Sequence, residues 1–165
     1  MASHRYKAEV AWRCNGDFAE NAYSRGHVWR FDGGIEVPAS ASPTVVPLPH
    51  SVEAAVDPEE AFVAAISSCH MLWFLDLARR KGWTVNAYDD AAEGVMERIA
   101  PRKMAVTRVV LRPQITLVGT VLPGADELDA LHHEAHERCF IANSVTSEII
   151  VEPQPVNLIA PPEEA

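Results

Sequence analysis

The sequence predicts an α+β fold built around one central helix. Three features predict it: residues 61–75 form an uncharged helical stretch, strand-like alternation lies on both sides of that stretch, and a second, amphipathic helix precedes the last strand. The chain has 165 residues, of which 48% are hydrophobic, so it is long enough to bury a sizeable core. No internal repeat marks a boundary, and we expect a single domain over residues 1–165.

The charge and the cysteine content exclude several classes of protein. The formal net charge is −9, and Lys and Arg form no run longer than three residues, which argues against nucleic acid and anionic membranes as partners. Residues 1–10 contain no apolar segment, so we expect no signal peptide. Three cysteines do not make a secreted disulfide framework, and we therefore expect a cytoplasmic protein.

The chain before the central helix predicts strands and a long loop. Alternating residues in segments 4–12 and 22–31 predict two strands, and residues 32–34 (Asp-Gly-Gly) predict a hairpin turn into a third strand at 35–37. Residues 38–57 contain four prolines, which predicts a loop rather than a helix.

The central helix carries its own start and stop signals. Asp57 can cap its first N–H groups, Pro58 suits the first helical position, and Glu60 completes a capping box. Basic residues at 79–81 followed by Gly82 predict its end. Apolar residues fall on every face, which predicts burial all round, and the apolar run is shorter than the roughly 20 residues of a membrane span.

The remaining chain predicts two strands, a helix and a final strand. Residues 83–96 and 104–118 predict the strands, 123–138 the second helix, and 146–152 the last strand. The proline-rich end, residues 153–165, is expected to be loosely ordered.

Two cysteines are the candidates for chemistry. Cys69 lies within the central helix, and Cys139 shares an inward stripe of the second helix with Leu131 and Ala135. Free cysteines often serve only as small apolar residues of a core. The functional interpretation is a redox pair, in which a sulfenic acid on one thiol condenses with the other to a disulfide. Cys14 is interpreted as incidental.

A metal site is the competing interpretation. His132, His136 and Cys139 are spaced at i, i+4 and i+7, and Cys69 could complete a Cys2His2 zinc site. This spacing matches no recognised metal motif, and we favour solvated histidines on a polar helix flank. We therefore expect no metal, and the redox interpretation needs no bound cofactor because sulfur carries the electrons.

Three segments carry a resemblance to a known family. Residues 57–60 (Asp-Pro-Glu-Glu), 68–71 (Ser-Cys-His-Met) and 135–145 (Ala-His-Glu-Arg-Cys-Phe-Ile-Ala-Asn-Ser-Val) resemble the OsmC/Ohr family, the osmotically inducible and organic hydroperoxide resistance proteins. The resemblance covers about residues 6–151.

This resemblance implies a thiol-dependent peroxidase on an intertwined homodimer, with antiparallel sheets around the central helix and active sites at the subunit interface. It implies that Cys69 is the peroxidatic cysteine and Cys139 the resolving one. Glu59 matches the family's carboxylate, and Arg25 is the best match for its arginine, with Arg30 as the alternative.

The implied substrate is a hydroperoxide, more often organic than hydrogen peroxide, and the implied reductant is a lipoyl group or another dithiol. His70 departs from the family, many members of which carry Phe after the cysteine. Glu59 and Cys69 are ten residues apart, roughly 15 Å on a helix, so a long Arg side chain is needed between them.

The alternative function is a non-catalytic binding protein for an apolar ligand on the same fold.

Overall fold

The structure, a computed structural model, describes residues 3–161. The chain separates into two compact units, one reaching to Ala61 and the other beginning at Phe62. The single domain expected from the sequence stays a prediction.

The first unit consists of short antiparallel strands. They are β1 (Ala8–Ala11), β2 (Gly16–Asp17), β3 (Ala22–Tyr23), β4 (His27–Phe31) and β5 (Glu36–Ala39). Strands β1, β4 and β5 form one sheet in that order, and β2 pairs with β3. The predicted strand at 22–31 is thus two strands. They are separated because the Arg25 N–H leaves the ladder and donates to the carbonyl of His50 at 2.8 Å.

The predicted hairpin and the predicted loop are both present. Gly34 adopts a φ of 82°, a left-handed conformation that glycine takes without strain, and Phe31 and Ile35 are joined by a 3.0 Å backbone hydrogen bond. The loop that follows is tied back at its far end, since Val56 forms a bridge to Ala39. It contains no helix.

Helix α1 (Pro58–Arg80) begins with the predicted capping box. The Glu60 N–H donates to the Asp57 carboxylate at 2.8 Å, and the Asp57 N–H donates to the Glu60 carboxylate at 3.1 Å. The helix ends before Gly82, which has a φ of 78°.

The expectation that α1 is buried on every face is wrong. Its buried residues form a single stripe, and Leu72 on another face is 62% exposed. The reason is that the packed side chains of the second unit cover only one side of the helix. By length and composition alone, α1 is long and apolar enough to cross a membrane, a test that core helices of soluble proteins also pass. The expectation that its apolar run is too short for a membrane span is therefore not met by this test.

The second unit has two mixed sheets and a second helix. Its elements are β6 (Thr84–Asp90), β7 (Glu93–Ala100), β8 (Lys103–Leu111), β9 (Pro113–Val118), α2 (Ala125–Arg138), β10 (Glu148–Val151) and β11 (Asn157–Ile159). One sheet has the order β10-β8-β7 and the other β11-β9-β6. The pairs β7/β8 and β6/β9 are antiparallel, whereas β10/β8 and β11/β9 are parallel.

Two sequence expectations change in this unit. Each of the two predicted strands is divided, because the Arg112 N–H donates to the Asp90 carboxylate at 2.6 Å and Pro113 has no N–H to offer. The end of the chain is not loosely ordered throughout, since Asn157–Ile159 form a strand against β9. Residues 162–165 of the predicted tail lie outside the described residues.

The core of the second unit joins both helices to a sheet. Phe74 and Leu77 of α1 pack with Ile115 and Leu117 of β9 and with Leu131 of α2. A second cluster joins Ile66, Val109 and Leu111. These contacts fix the faces of α1 and α2 that carry the cysteines.

Candidate active site

Cys69 lies in the middle of α1, on a half-buried position between the buried residues Ile66 and His70. The helix around it is anchored to the strands, because the Ser67 hydroxyl donates to the Asp90 carboxylate at 2.5 Å. Cys69 is therefore held on a well-anchored helix and is only partly buried.

Cys139 is the residue that ends α2, and it is 1% exposed. Its N–H donates to the His136 carbonyl at 3.1 Å, and its carbonyl accepts from Asn143 at 3.0 Å. A turn of 3₁₀ helix (Ala142–Ser144) follows, and the Ala142 N–H donates to the Cys139 sulfur at 3.3 Å. The local sequence thus fixes this sulfur from both sides, and the inward position predicted for Cys139 is confirmed.

The two thiols are neighbours. Burial raises the pKa of Cys139 to about 11, and a side-chain hydrogen bond and charge repulsion from Cys69 add to the rise, whereas backbone N–H groups of Ala142 and Ile141 oppose it. All three cysteines are unbridged. A half-exposed thiol beside a buried one is the arrangement that a two-step thiol cycle requires.

An aromatic and cationic group lies one helical turn from Cys69. Trp73 follows Cys69 by four residues, so both lie on the same face of α1. The ring of Phe140 meets Trp73 edge-on at 5.5 Å, and the Arg138 guanidinium lies 5.6 Å from the Trp73 ring centroid. Arg138 also pairs with Glu134 at 2.7 Å.

The interpretation of the histidines as solvated is wrong for His132, which is 3% exposed. Its Nδ1 lies 3.1 Å from Nε2 of His70, which is 1% exposed. Burial lowers the pKa of His70 to about 3 and that of His132 to about 4, so both rings are neutral at pH 7. His132 is buried because it lies on the side of α2 that packs inward, next to the buried residues Leu131 and Ala135.

Three histidines of α2 border a cavity of about 390 Å³. Its polar lining comes from α2, namely Asp129, His132, His133 and His136. Among residues 3–161, no group of three or more His, Cys, Asp or Glu side chains is arranged to hold a metal ion. The Cys2His2 alternative gains no support from the geometry, and the expected lack of metal stays a prediction.

Arg25 belongs to an aromatic pocket of the first unit. The guanidinium stacks 3.8 Å from the Tyr23 ring centroid and donates to the Tyr23 carbonyl at 2.6 Å, and it also bonds to Asn21. The pocket has a volume of about 400 Å³. It is lined by Val10, Trp12, Phe18, Tyr23, Arg25, His27, Ser40, Ala41 and Pro58.

Arg30 has a different environment from Arg25. It pairs with Glu36 at 2.5 Å and with Glu9 at 2.9 Å, and these carboxylates, Glu36 first, raise its pKa above the usual value. Its charge is thus already neutralised on an exposed sheet. Glu59 lies half-buried in the first turn of α1, which runs without interruption from Pro58.

The comparisons with known proteins decide the family. A family model described as OsmC-like protein matches residues 50–154, nearly two thirds of the chain. The chain belongs to the OsmC-like protein family. A comparison of this OsmC-like protein with curated proteins gives no match.

Solved structures agree with the family. An OsmC-like protein of unknown function from Vibrio cholerae is 51% identical, with a TM-score of 0.89 over 92% of this chain and 100% of that chain. An OsmC-like protein from Mycoplasma pneumoniae is 13% identical, with a TM-score of 0.71 over 94% and 99%. An organic hydroperoxide resistance protein from Legionella pneumophila is 16% identical, with a TM-score of 0.63 over 95% and 99%. The last two show the fold alone.

These findings confirm the α+β fold and the OsmC/Ohr resemblance predicted from the sequence. Sequence reasoning missed the contact between His70 and His132 and the group around Trp73. The spacing held two usable signals: His132 precedes Cys139 by seven residues, and Trp73 follows Cys69 by four.

Proposed function

We propose that this OsmC-like protein is a thiol-dependent peroxidase that reduces organic hydroperoxides through Cys69 and Cys139. The observation that carries the proposal is the placement of a half-buried cysteine close to a fully buried one, near enough for Cys69 to raise the pKa of Cys139. Cys69 is the accessible member, which suits the first step, and Cys139 is shielded until an oxidised partner forms beside it.

The cycle has three balanced steps. The Cys69 thiolate attacks a peroxide oxygen, so that an S–O bond forms, the O–O bond breaks, and the alkoxide leaves and takes a proton as an alcohol. The Cys139 thiol then attacks the Cys69 sulfenic acid, so that the S–S bond forms, the S–O bond breaks, and the thiol proton leaves with the hydroxyl group as water. An external dithiol, of the lipoyl type that the family implies, reduces the disulfide by exchange and is itself oxidised.

Arg25 and Glu59 keep proposed roles that come from the resemblance. A cation favours a thiolate, and a carboxylate can hold a guanidinium in a bidentate pair. Arg25 is a better candidate than Arg30, because Arg30 already pairs with Glu9 and Glu36. The cytoplasm, where dithiol reductants keep thiols reduced, is the proposed location.

A homodimer is also proposed. The face of α1 that carries Ala64, Ala65 and Leu72 is exposed in the single chain, although its residues are apolar or small. A second copy of the chain would remove this surface from water. Light scattering of the purified protein should give twice the mass of the 165-residue chain, and a monomer at all concentrations would contradict the dimer.

The second candidate function is a binding protein for an apolar ligand. The aromatic pocket favours it, because Trp12, Phe18 and Tyr23 pack around one another and Arg25 adds a single cation for an anionic group. In this reading the cysteines serve only as packing residues.

One experiment separates the two functions. Consumption of cumene hydroperoxide is measured with dihydrolipoamide for the wild type and for Cys69→Ser, Cys139→Ser and Cys14→Ser. The peroxidase predicts loss of turnover in Cys69→Ser, over-oxidation of Cys69 in Cys139→Ser, and wild-type turnover in the exposed control Cys14→Ser. Equal residual turnover in Cys69→Ser and the wild type would reject the peroxidase. Tight binding of an apolar acid without turnover would then support the binding protein.

A further inference from the structure

His70 and His132 form a buried contact between α1 and α2. The atoms Nε2 of His70 and Nδ1 of His132 are 3.1 Å apart, and the two rings lie nearly parallel, at 5°. Phe74 stacks on His132 with ring centroids 4.5 Å apart. This is a directional polar contact within an otherwise apolar helix interface.

The unpartnered atom of the pair indicates which ring donates. Nδ1 of His70 is buried and has no hydrogen-bond partner among the described residues. A buried N–H without a partner is rarer than a buried acceptor without one, so the proton of His70 is best placed on Nε2. His70 then donates to Nδ1 of His132, and His132 carries its own proton on Nε2. The ring of His132 also borders the 390 Å³ cavity.

Each histidine of the pair is close to one of the two cysteines in the sequence. His70 directly follows Cys69 on α1, and His132 precedes Cys139 by seven residues, two turns along the same face of α2. A hydrophobic contact resists separation but does not fix sliding or rotation, whereas a hydrogen bond weakens steeply when its angle changes. The His70–His132 bond therefore sets the register of the two helices that present the thiols.

We propose that His70 and His132 are a positioning pair that aligns Cys139 with Cys69 for disulfide formation. The inference rests on the proposed two-cysteine cycle and goes beyond it by naming what holds the second step in register. Disulfide formation is sensitive to such alignment, since bridged residues need Cα atoms about 4.4–6.8 Å apart and an S–S torsion near 90°. The first step, attack on peroxide, needs Cys69 alone and is insensitive to the pair.

The variants are chosen to remove or keep the hydrogen bond. His132→Leu and His70→Leu remove it, whereas His132→Asn retains an acceptor near the position of Nδ1 and His70→Gln retains a donor near that of Nε2. His133→Leu is the matched control, because His133 is exposed on the same helix and does not contact His70. All variants carry Cys14→Ser so that no third thiol interferes.

The first readout separates the two steps in single-turnover reactions with cumene hydroperoxide. We expect sulfenic acid formation on Cys69 within about twofold of the control in every variant, and disulfide formation at least about tenfold slower in the two Leu variants, since a misplacement of about 1 Å can cost as much as ~100-fold. His132→Asn and His70→Gln should recover most of the rate. Equal rates of disulfide formation in His132→Leu and His133→Leu would overturn the proposal.

The second readout does not need peroxidase activity. The effective concentration of Cys139 for Cys69 is measured in glutathione redox buffers, and we expect it to fall about tenfold or more in His132→Leu and to return in His132→Asn. If the wild type forms no sulfenic acid but this pattern holds, the proposed function fails and the positioning role stands. An unchanged effective concentration in His132→Leu and His70→Leu, or a fall that His132→Asn does not reverse, rejects the positioning role whether or not the protein consumes peroxide.

Discussion

Cys139 lies close enough to Cys69 for the two thiols to influence each other, and the two residues differ in their burial. Cys139 is 1% exposed and ends α2, whereas Cys69 is half-buried within α1. Because burial and the nearby Cys69 raise the pKa of Cys139 to about 11, this thiol stays protonated at neutral pH.

Alkylation should distinguish the two thiols. At pH 8, a thiol with a pKa near 11 is about one part in a thousand thiolate, roughly a hundredfold less than an ordinary cysteine. In the Cys14→Ser variant, iodoacetamide should therefore label Cys69 first and Cys139 at least about a hundredfold more slowly than a free cysteine. Mass spectrometry of tryptic peptides over time measures the order. Faster labelling of Cys139 than of Cys69 would contradict the assignment of the accessible thiol.

The buried histidines should make the folded state sensitive to acid. Burial lowers the pKa of both His70 and His132 in the folded state, with the charges of His132 and His136 adding to the effect on His70 and that of Asp129 opposing it on His132. The unfolded chain therefore binds protons more readily, so the stabilisation is complete above about pH 6.5 and is lost as the pH falls towards 4. The expected loss is at most roughly 1.4 kcal/mol per pH unit for each histidine.

Urea unfolding between pH 8 and pH 4.5 measures this loss. His132→Asn should show a flatter dependence of the free energy of unfolding on pH, since one of the two titrating groups is gone. The exposed control His133→Leu should follow the wild type. Identical pH dependence in His132→Asn and the wild type would show that His132 is not held neutral by burial.

Arg25 should control the reactivity of Cys69 if the family role applies. Arg25→Ala should slow alkylation of Cys69 at neutral pH, with recovery at high pH, because a cation is needed to favour the thiolate. Arg25→Lys should rescue in part, since a point charge cannot make a bidentate pair with Glu59. Arg30→Ala is the matched control and should leave the rate unchanged. Loss of reactivity in Arg30→Ala with none in Arg25→Ala would move the role to Arg30.

Metal analysis tests the remaining alternative. The protein as purified should contain no stoichiometric zinc, because His132 directs Nδ1 at His70 and no group of three or more His, Cys, Asp or Glu side chains among residues 3–161 is arranged to hold a metal ion. About one zinc per chain, lost in His136→Ala, would favour a site formed by Cys69, Cys139 and His136.

Local signals allowed much of the fold to be predicted from the sequence. The capping box of Asp57 and Glu60 and the glycines at the turn and helix end act over a few residues, so α1 and the first hairpin were predictable. The inward position of Cys139 followed from a helical stripe. The resemblance of the cysteine segments then identified the family before any distance was known.

The rest depends on contacts between distant segments. The bond of Asp90 to the Arg112 N–H spans 22 residues and divides two strands that looked continuous. His70 and His132 are 62 residues apart, and neither position alone indicates the other. The exposed face of α1 could not be predicted either, because its composition does not tell which side the sheets of the same chain will cover.

Peptide mapping after oxidation tests the central claim most directly. The full-length protein is treated with one equivalent of cumene hydroperoxide, the remaining free thiols are blocked, and the peptides are identified by mass spectrometry. The account predicts an intramolecular disulfide between Cys69 and Cys139, with Cys14 recovered as a blocked free thiol. A dominant link through Cys14, or oxidation of Cys69 with no link to Cys139, would contradict it.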